Sequence, residues 1–564
     1  MDDVWPWLAS LPPPAGGPDT SPPWSLPLAA SPDGASIVLQ ADPAASASDD
    51  GDDGESALIA FSLAINGANG LARGLWTSNN FDASSPVALR VQLLVQLLNE
   101  VLALSPHVPC LTTNVDLGDT SEAKLDAEVV SRVVGVAGTD VSEPAAAFFS
   151  LALLLRLFWS CALEAPADSG YLFFRVLGVD IERALCECRL ALGVFLRSVG
   201  PDVEERYMRS LGYMLAKWCL LREIQAGSAA KPALPEVSPR RALPAAWLSY
   251  ATEVHGLWVL KGYAPVLAMP LVTASPHEVP EEPALRYGLV HQQLETVAQL
   301  EYAVHMRDKR FITVSVRVDN VRVRVARLGF RKDDAEANNE EDADADADDM
   351  DGERHFPSRI RLWVGPRFGA SYATGPSLGR STGNPERDVE MTRTVKGAFS
   401  GATKLANGNG GNAPRMKAKM RSSARSRNRS WRWEQEAEGS AGVFEGVLYD
   451  PVTGTEVSSW RPGFGSGGTG VADPRNGMRR RYGGPGRAFS KMRGLVVARD
   501  ELPEEMTWRV GREVEGRTVR WRVGFKAWVS YVPNEVRSRH FETRCVEWAH
   551  EVELPLVAIN CDET

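Results

Sequence analysis

Cysteine is scarce and unpatterned in this chain. Seven cysteines in 564 residues, an odd number, sit mostly inside helical or strand patterns without paired spacing, which excludes a disulfide framework and points to a reducing compartment. Histidine offers no metal signature either. None of the eight histidines stands in an H-x-x-x-H or H-E-x-x-H arrangement, and no Cys-x-x-Cys occurs, so the common zinc motifs are missing. Cys186 and Cys188 are two apart in an amphipathic helical stretch, where such residues face different ways, and they read as structural. Gly465-Ser-Gly-Gly-Thr-Gly lacks the Gly-Lys-Ser/Thr ending of a phosphate loop and reads as linker. Asp2 and Asp3 stand where a secretory signal carries cations, and no apolar run follows. A cytoplasmic chain is expected, not secreted, with a nuclear or membrane-associated place open. No cofactor is called for.

What is present divides the chain. Its length and 44% hydrophobic content allow two or three domains with cores of their own. The net charge is -10, but acidic and basic residues are segregated into blocks, so the total says little about partners. Residues 1–55 are rich in Pro, Ser, Ala and Asp and read as a disordered tail. In that tail Trp5, Trp7 and Trp24 are candidate anchors for a partner protein's pocket; docking back onto the chain's own surface is the favoured alternative. Residues 56–226 read as an α-helical domain. Ser85-Pro86 opens a helix whose Val91, Leu94, Val95, Leu98, Val101 and Leu102 form one stripe, and further helices are predicted near 121–137, 143–164, 170–199 and 202–225. The run Ala145 to Leu163 is long enough to span a bilayer, but Arg156 near its middle favours a core helix, with the guanidinium reaching solvent or a carboxylate. A Pro-rich linker follows at 227–245.

Residues 246–564 read as an antiparallel β domain. Alternation begins near Leu257 and sharpens at Leu300, Tyr302, Val304 and Met306. Ile312, Val314, Val316 and Val318 lead to Asp319-Asn320, after which Val321, Val323 and Val325 return, predicting a hairpin that sets Arg317 opposite Arg322 with carboxylates nearby. Shorter strands are expected at 359–364, 442–449, 456–460 and 494–498. At the end, Met506, Trp508 and Val510 are expected to fold back on Val519 to Tyr531 across Glu515-Gly516, and a change of phase after Cys545 predicts a bulge there. The expected class is α+β, an N-terminal α-helical bundle followed by an antiparallel β-sandwich or barrel-like domain with long disordered insertions at 333–353, 374–430 and 462–490.

Two kinds of charged run lie in those insertions. Twelve acidic residues between Asp333 and Glu353 lack the tight turn of a calcium loop and read as a solvated segment. Arg415, Lys417, Lys419, Arg421, Arg425, Arg427 and Arg429, with Arg432, form an acid-free basic run, and Arg479, Arg480 and Arg481 belong to a second at 475–493. Such runs attract phosphate by counterion release, so RNA, DNA or anionic lipid are candidate partners. A nuclear import signal and a loop that screens the acidic insertion are the alternatives. Serines 422, 423, 426 and 430 lie among these arginines as substrates for basophilic kinases.

The segments Ser430-Trp-Arg-Trp-Glu-Gln-Glu-Ala-Glu-Gly and Ser530 to Trp548 resemble a plant-specific family of uncharacterised proteins, and the resemblance extends over about 55–110 and the β half. It implies one coherent protein and brings no activity or residue role. The first functional expectation is therefore a non-enzymatic protein-binding or scaffold protein. A peripheral anionic-membrane or nucleic-acid binder working through 415–432 and 475–493 is the second, and an enzyme with a site assembled from scattered residues the third.

Overall fold

The computed structural model describes residues 3–11, 24–32, 34–44, 58–67, 72–82, 85–106, 125–135, 143–164, 169–227, 248–266, 269, 291–306, 308–328, 356–381, 387–399, 416–428, 431–449, 494–498, 502–531 and 542–557. They form a mixed α+β protein built largely of antiparallel sheets. The expected linker 227–245 and the insertions 333–353 and 462–490 lie almost wholly outside the described residues.

The N-terminal body is not a pure helical bundle. A short helix, α1 (Val4–Ser10), precedes a five-stranded sheet of β1 (Trp24–Ala30), β2 (Ser36–Ala44), β3 (Leu58–Asn66), β4 (Ala72–Thr77) and β5 (Phe81–Asp82). Ile37, Leu39, Ala41, Ile59, Phe61 and Leu63 alternate along β2 and β3 and are buried, so the sheet has one apolar face. Average composition over 1–55 conceals that short alternation. The expected tail is thus corrected to helix and strand wherever it is described.

Helices cover that apolar face: α2 (Pro86–Ala103), α3 (Ala127–Gly135), α4 (Glu143–Glu164), α5 (Ser169–Glu187), α6 (Arg189–Ser198) and α7 (Pro201–Gly227). Ser85 caps α2 by accepting from the Ala88 amide. α4 is apolar on every side because it runs through the centre, and 83% of its Pro144–Ala162 stretch is buried. Both α2 and α4 are long and apolar enough to cross a membrane by length and composition. Arg156 finds its carboxylate in Glu100 of α2, and its Nη1 donates to Ser160 at 2.6 Å. Trp159 donates to Ser210 at 2.6 Å and stacks on Tyr213 at 5.2 Å, tying α4 to α7.

The C-terminal body consists of two antiparallel sheets over one core. One runs β14 (Trp431–Glu438), β15 (Ala441–Leu448), β10 (Phe356–Pro366), β18 (Thr518–Tyr531), β19 (Glu542–Pro555). The other runs β11 (Ala373–Ser377), β17 (Met506–Gly511), β9 (Phe311–Leu328), β8 (His291–His305), β7 (Leu257–Pro265), β6 (Ser249–Val254), with β16 (Gly494–Ala498) also on β9. Trp521 of the first sheet meets Trp508 edge to face at 5.1 Å and lies 6.0 Å from Trp258, both of the second. Trp548 crosses to Gly262, where an added Cβ would fall 2.8 Å from its ring.

Three local expectations are corrected here. Asp319-Asn320 is not a turn: β9 is one 18-residue strand, and β8 changes register between Gln299 and Leu300 so that Asp319 has no paired residue. The bulge switches the buried phase from Val318 to Val321 as a hairpin would. Arg317 accordingly faces Glu301, not Arg322. Second, β17 does not pair with β18. A 3-10 turn at Arg512–Val514 carries the chain between sheets, so Trp508 and Trp521 face each other across the core instead of lying side by side. Third, β18 and β19 pair without interruption from Thr518↔Pro555 to Tyr531↔Glu542, and no bulge occurs at Cys545. The supposed insertion 374–430 also holds structure: β11, and a separate two-stranded sheet of β12 (Arg387–Phe399) and β13 (Met416–Asn428).

Trp5 belongs to the N-terminal core. Its ring meets Phe149 edge to face at 5.4 Å and lies beneath the Arg90 guanidinium at 4.4 Å. Trp5→Ala is expected to destabilise the N-terminal body by about 3–5 kcal/mol, and Trp24→Ala, at a half-buried ring, by clearly less. Denaturant unfolding followed by near-UV circular dichroism measures both.

Candidate functional site

The densest group of buried charge lies where α7 crosses β7, β8 and β9. Glu204, one turn into α7, accepts from Lys261 at 2.5 Å and from the Tyr263 hydroxyl at 2.8 Å. Arg209 donates to Glu295 at 3.1 Å and to Glu205 at 2.8 Å. Arg324 of β9 completes the set by pairing with the same Glu295 and, at 3.3 Å, with Glu205. Three carboxylates thus meet three cations. Glu204, Glu295, Arg209 and Arg324 are all buried, and each charge has a partner of opposite sign, the condition under which burial of ions is tolerated.

The titration of these groups follows from the packing. Burial alone would lower the Arg209 guanidinium, but Glu295 and Glu205 outweigh it and hold Arg209 above its ordinary value. Burial pushes the phenols of Tyr263 and Tyr250 up, and the neighbouring Glu204 carboxylate adds to both. A closed neutral network of this kind works as a joint between the two bodies; its charges are already spent on one another. The Glu205/Arg209 pair at i,i+4 is visible in the sequence. Glu295 and Arg324 come to it only through the pairing of β8 with β9.

A second cluster sits at the open edges of the two sheets. Ser249 of β6 and His550 of β19 share a hydrogen bond at 2.9 Å between Oγ and Nε2. Serine beside histidine is the first requirement of a nucleophile. Burial pushes the His550 imidazole down to about 4, and the charge that bears on it is the cation of Arg189, the opposite of the carboxylate that orients a general base. The pair therefore joins β6 to β19. Among the described residues no group of three or more His, Cys, Asp or Glu is placed to hold a metal ion. Cys188 is buried, with its thiol raised to about 12 chiefly by that burial, while Cys186 on the next turn is exposed.

The residues singled out in the sequence are dispersed. Trp5 is buried, and Trp7 and Trp24 pack half-buried against the same core, so a partner reaches Trp5 only if α1 leaves. Arg415, Arg429 and the whole block 475–493, including Arg479, Arg480 and Arg481, lie outside the described residues. Lys417, Lys419, Arg421, Arg425 and Arg427 fall within β13, whose register with β12 runs from Arg387↔Asn428 to Phe399↔Met416. All five occupy odd positions of one strand and hence one face of the ladder. Opposite them on that face are Asp388, Glu390, Thr392, Thr394, Lys396 and Ala398. What read as an irregular basic loop is a two-stranded ladder with a cationic face.

No family model and no curated protein matches the sequence. Among solved structures, the chain is matched with the Clostridium perfringens NetB toxin in its membrane-inserted form at 8% identity and TM-score 0.17, over 54% of this chain and 92% of the toxin. The Clostridium perfringens delta-toxin is matched at 7% identity and TM-score 0.19, over 54% and 96%. Similarity at that level carries neither a common fold nor a common activity.

Two outcomes are expected. Glu295→Gln leaves Arg209 and Arg324 short of a buried counter-charge and costs about 3–5 kcal/mol, read as a lower denaturation midpoint. His550 in the unfolded chain titrates near 6.5, so the unfolded state takes up the proton first as pH falls. The stability this group contributes is complete above about 6.5 and disappears as pH falls towards 4. His550→Gln should flatten the pH dependence of thermal melting in that window.

Proposed function

We propose that this chain is a non-enzymatic binding protein, a rigid platform that presents the β12–β13 hairpin to a phosphate-bearing partner. The observation that carries the reading is the register of the hairpin, which gathers Lys396, Lys417, Lys419, Arg421, Arg425 and Arg427 on one face against only Asp388 and Glu390. Alternation spaces the β13 cations about 7 Å apart along a strand, a spacing that lets each one meet a separate anionic group. The rest of the chain supports this as scaffold: an α/β body and a two-layered β-sandwich, joined through the buried network on α7. Trp5, Trp7 and Trp24 serve that scaffold as core residues, which leaves recruitment of a protein partner through them without support.

Binding through such a face is governed by counterion release. On an immobilised polyphosphate matrix the intact protein is expected to bind at low salt and elute as salt rises. A variant with Lys417, Lys419, Arg421, Arg425 and Arg427 all changed to Gln should elute markedly earlier, the log-log salt slope falling by roughly one for each phosphate contact removed. Equal retention of variant and parent, at matched thermal stability, sinks the proposal.

A further inference from the structure

The opposite face of the same hairpin has a different chemistry. By register it holds Val389, Met391, Val395, Gly397 and Phe399 from β12 and Met416, Ala418, Met420, Ser422, Ala424 and Ser426 from β13, with Arg387, Arg393 and Asn428 the strongly polar members. The apolar residues concentrate in the distal half, where Val395↔Met420, Gly397↔Ala418 and Phe399↔Met416 are successive pairs on this face. Arg393, opposite Ser422, closes that patch. The ladder is therefore amphipathic across its thickness, cationic on one side and apolar on the other at its far end.

Each strand is 13 residues long, roughly 43 Å at 3.3 Å per residue, and the sheet consists of these two strands alone. An isolated hairpin is marginal in water unless one face is covered. We infer that the cover is an anionic lipid bilayer: the distal pairs from Val395↔Met420 to Phe399↔Met416 embed at the depth of the upper acyl chains while the cationic face holds the headgroup phosphates. This deepens the reading of the hairpin as a phosphate-binding element and rests on it.

Three observations favour lipid over other polyanions. Nucleic acid rewards the cations but offers nothing to Val395, Phe399, Met416 and Met420, and the cationic face has no aromatic residue on which a base could stack. A bilayer satisfies both faces at once, as it does for interfacial elements that combine an apolar face with Lys and Arg. Arg393 also fits, because a guanidinium at the limit of the apolar patch comes level with the headgroups when the tip embeds by about 5–10 Å. Its position on the apolar face tells against the hairpin crossing the bilayer, where an arginine facing lipid near the midplane costs about 2–4 kcal/mol.

The test is flotation of the full-length protein with vesicles of phosphatidylcholine alone and of phosphatidylcholine with phosphatidylserine, run beside the polyphosphate matrix. The parent is expected to float only with the anionic vesicles. Phe399→Ser with Met420→Ser, which leaves every charge in place, should weaken vesicle binding at least tenfold and leave polyphosphate retention unchanged. The five-Gln variant should lose both. Retention on polyphosphate without flotation, or flotation indifferent to the Phe399/Met420 pair, overturns the lipid assignment while the phosphate-binding reading stands. Loss of both in the parent overturns both.

Discussion

The joint between the two bodies depends on one electrostatic condition, that three carboxylates and three cations be buried together with nothing left over. Glu204, Glu205 and Glu295 balance Lys261, Arg209 and Arg324. Removing any one would leave a charge in a medium that solvates it poorly. The geometry is correspondingly demanding, because α7 must arrive with the correct turn against β7, β8 and β9. An apolar joint of the same area would be adhesive but indifferent to rotation. The charged one specifies a single orientation, and the hairpin is carried on a platform whose parts do not swivel freely.

Much of this was legible in the residues. The helices of 86–103 and 143–164, the Ser85 cap, the buried carboxylate partner of Arg156 and the β nature of 246–564 all follow from period, capping chemistry and the cost of burying charge. What failed was pairing. Alternation in Val314 to Val325 and in Met506 to Tyr531 gives the faces correctly but cannot distinguish a tight turn from a bulge, or a sheet partner from a residue facing across the core, since each leaves the same pattern of period two. Within residues 1–55 the error was one of scale. Ile37, Leu39 and Ala41 suffice for a strand once β3 lies beside them, yet they vanish in the average over a tail of Pro, Ser and Ala. The charged joint was half visible, as the Glu205/Arg209 spacing, and half hidden in strand pairings distant in sequence.

The hairpin illustrates the same lesson from the functional side. Met416-Lys-Ala-Lys-Met-Arg reads as a basic run when residues are counted and as two faces when they are placed on a strand. Counting gives an affinity for phosphate; placing adds an apolar side and thereby narrows the class of partner. Neither property requires a pocket, a metal or a nucleophile. That agrees with a molecule whose other conspicuous polar clusters, the α7 network and the Ser249–His550 pair, are consumed in holding elements together.

The strand order of the C-terminal body also sets the timetable of its assembly. β10 lies at the centre of its sheet between β15 and β18, and Ser358 donates to the carbonyl of Trp528, 170 residues later in the chain. During synthesis, at about 5–20 residues per second, β10 leaves the ribosome long before β18 exists. For that interval Ile360, Leu362 and Val364 have neither their neighbour in the sheet nor the tryptophans that will cover them. The central strand of this half is thus the one most dependent on chaperones while the protein is being made, and truncation after residue 500 removes the strands that would bury it.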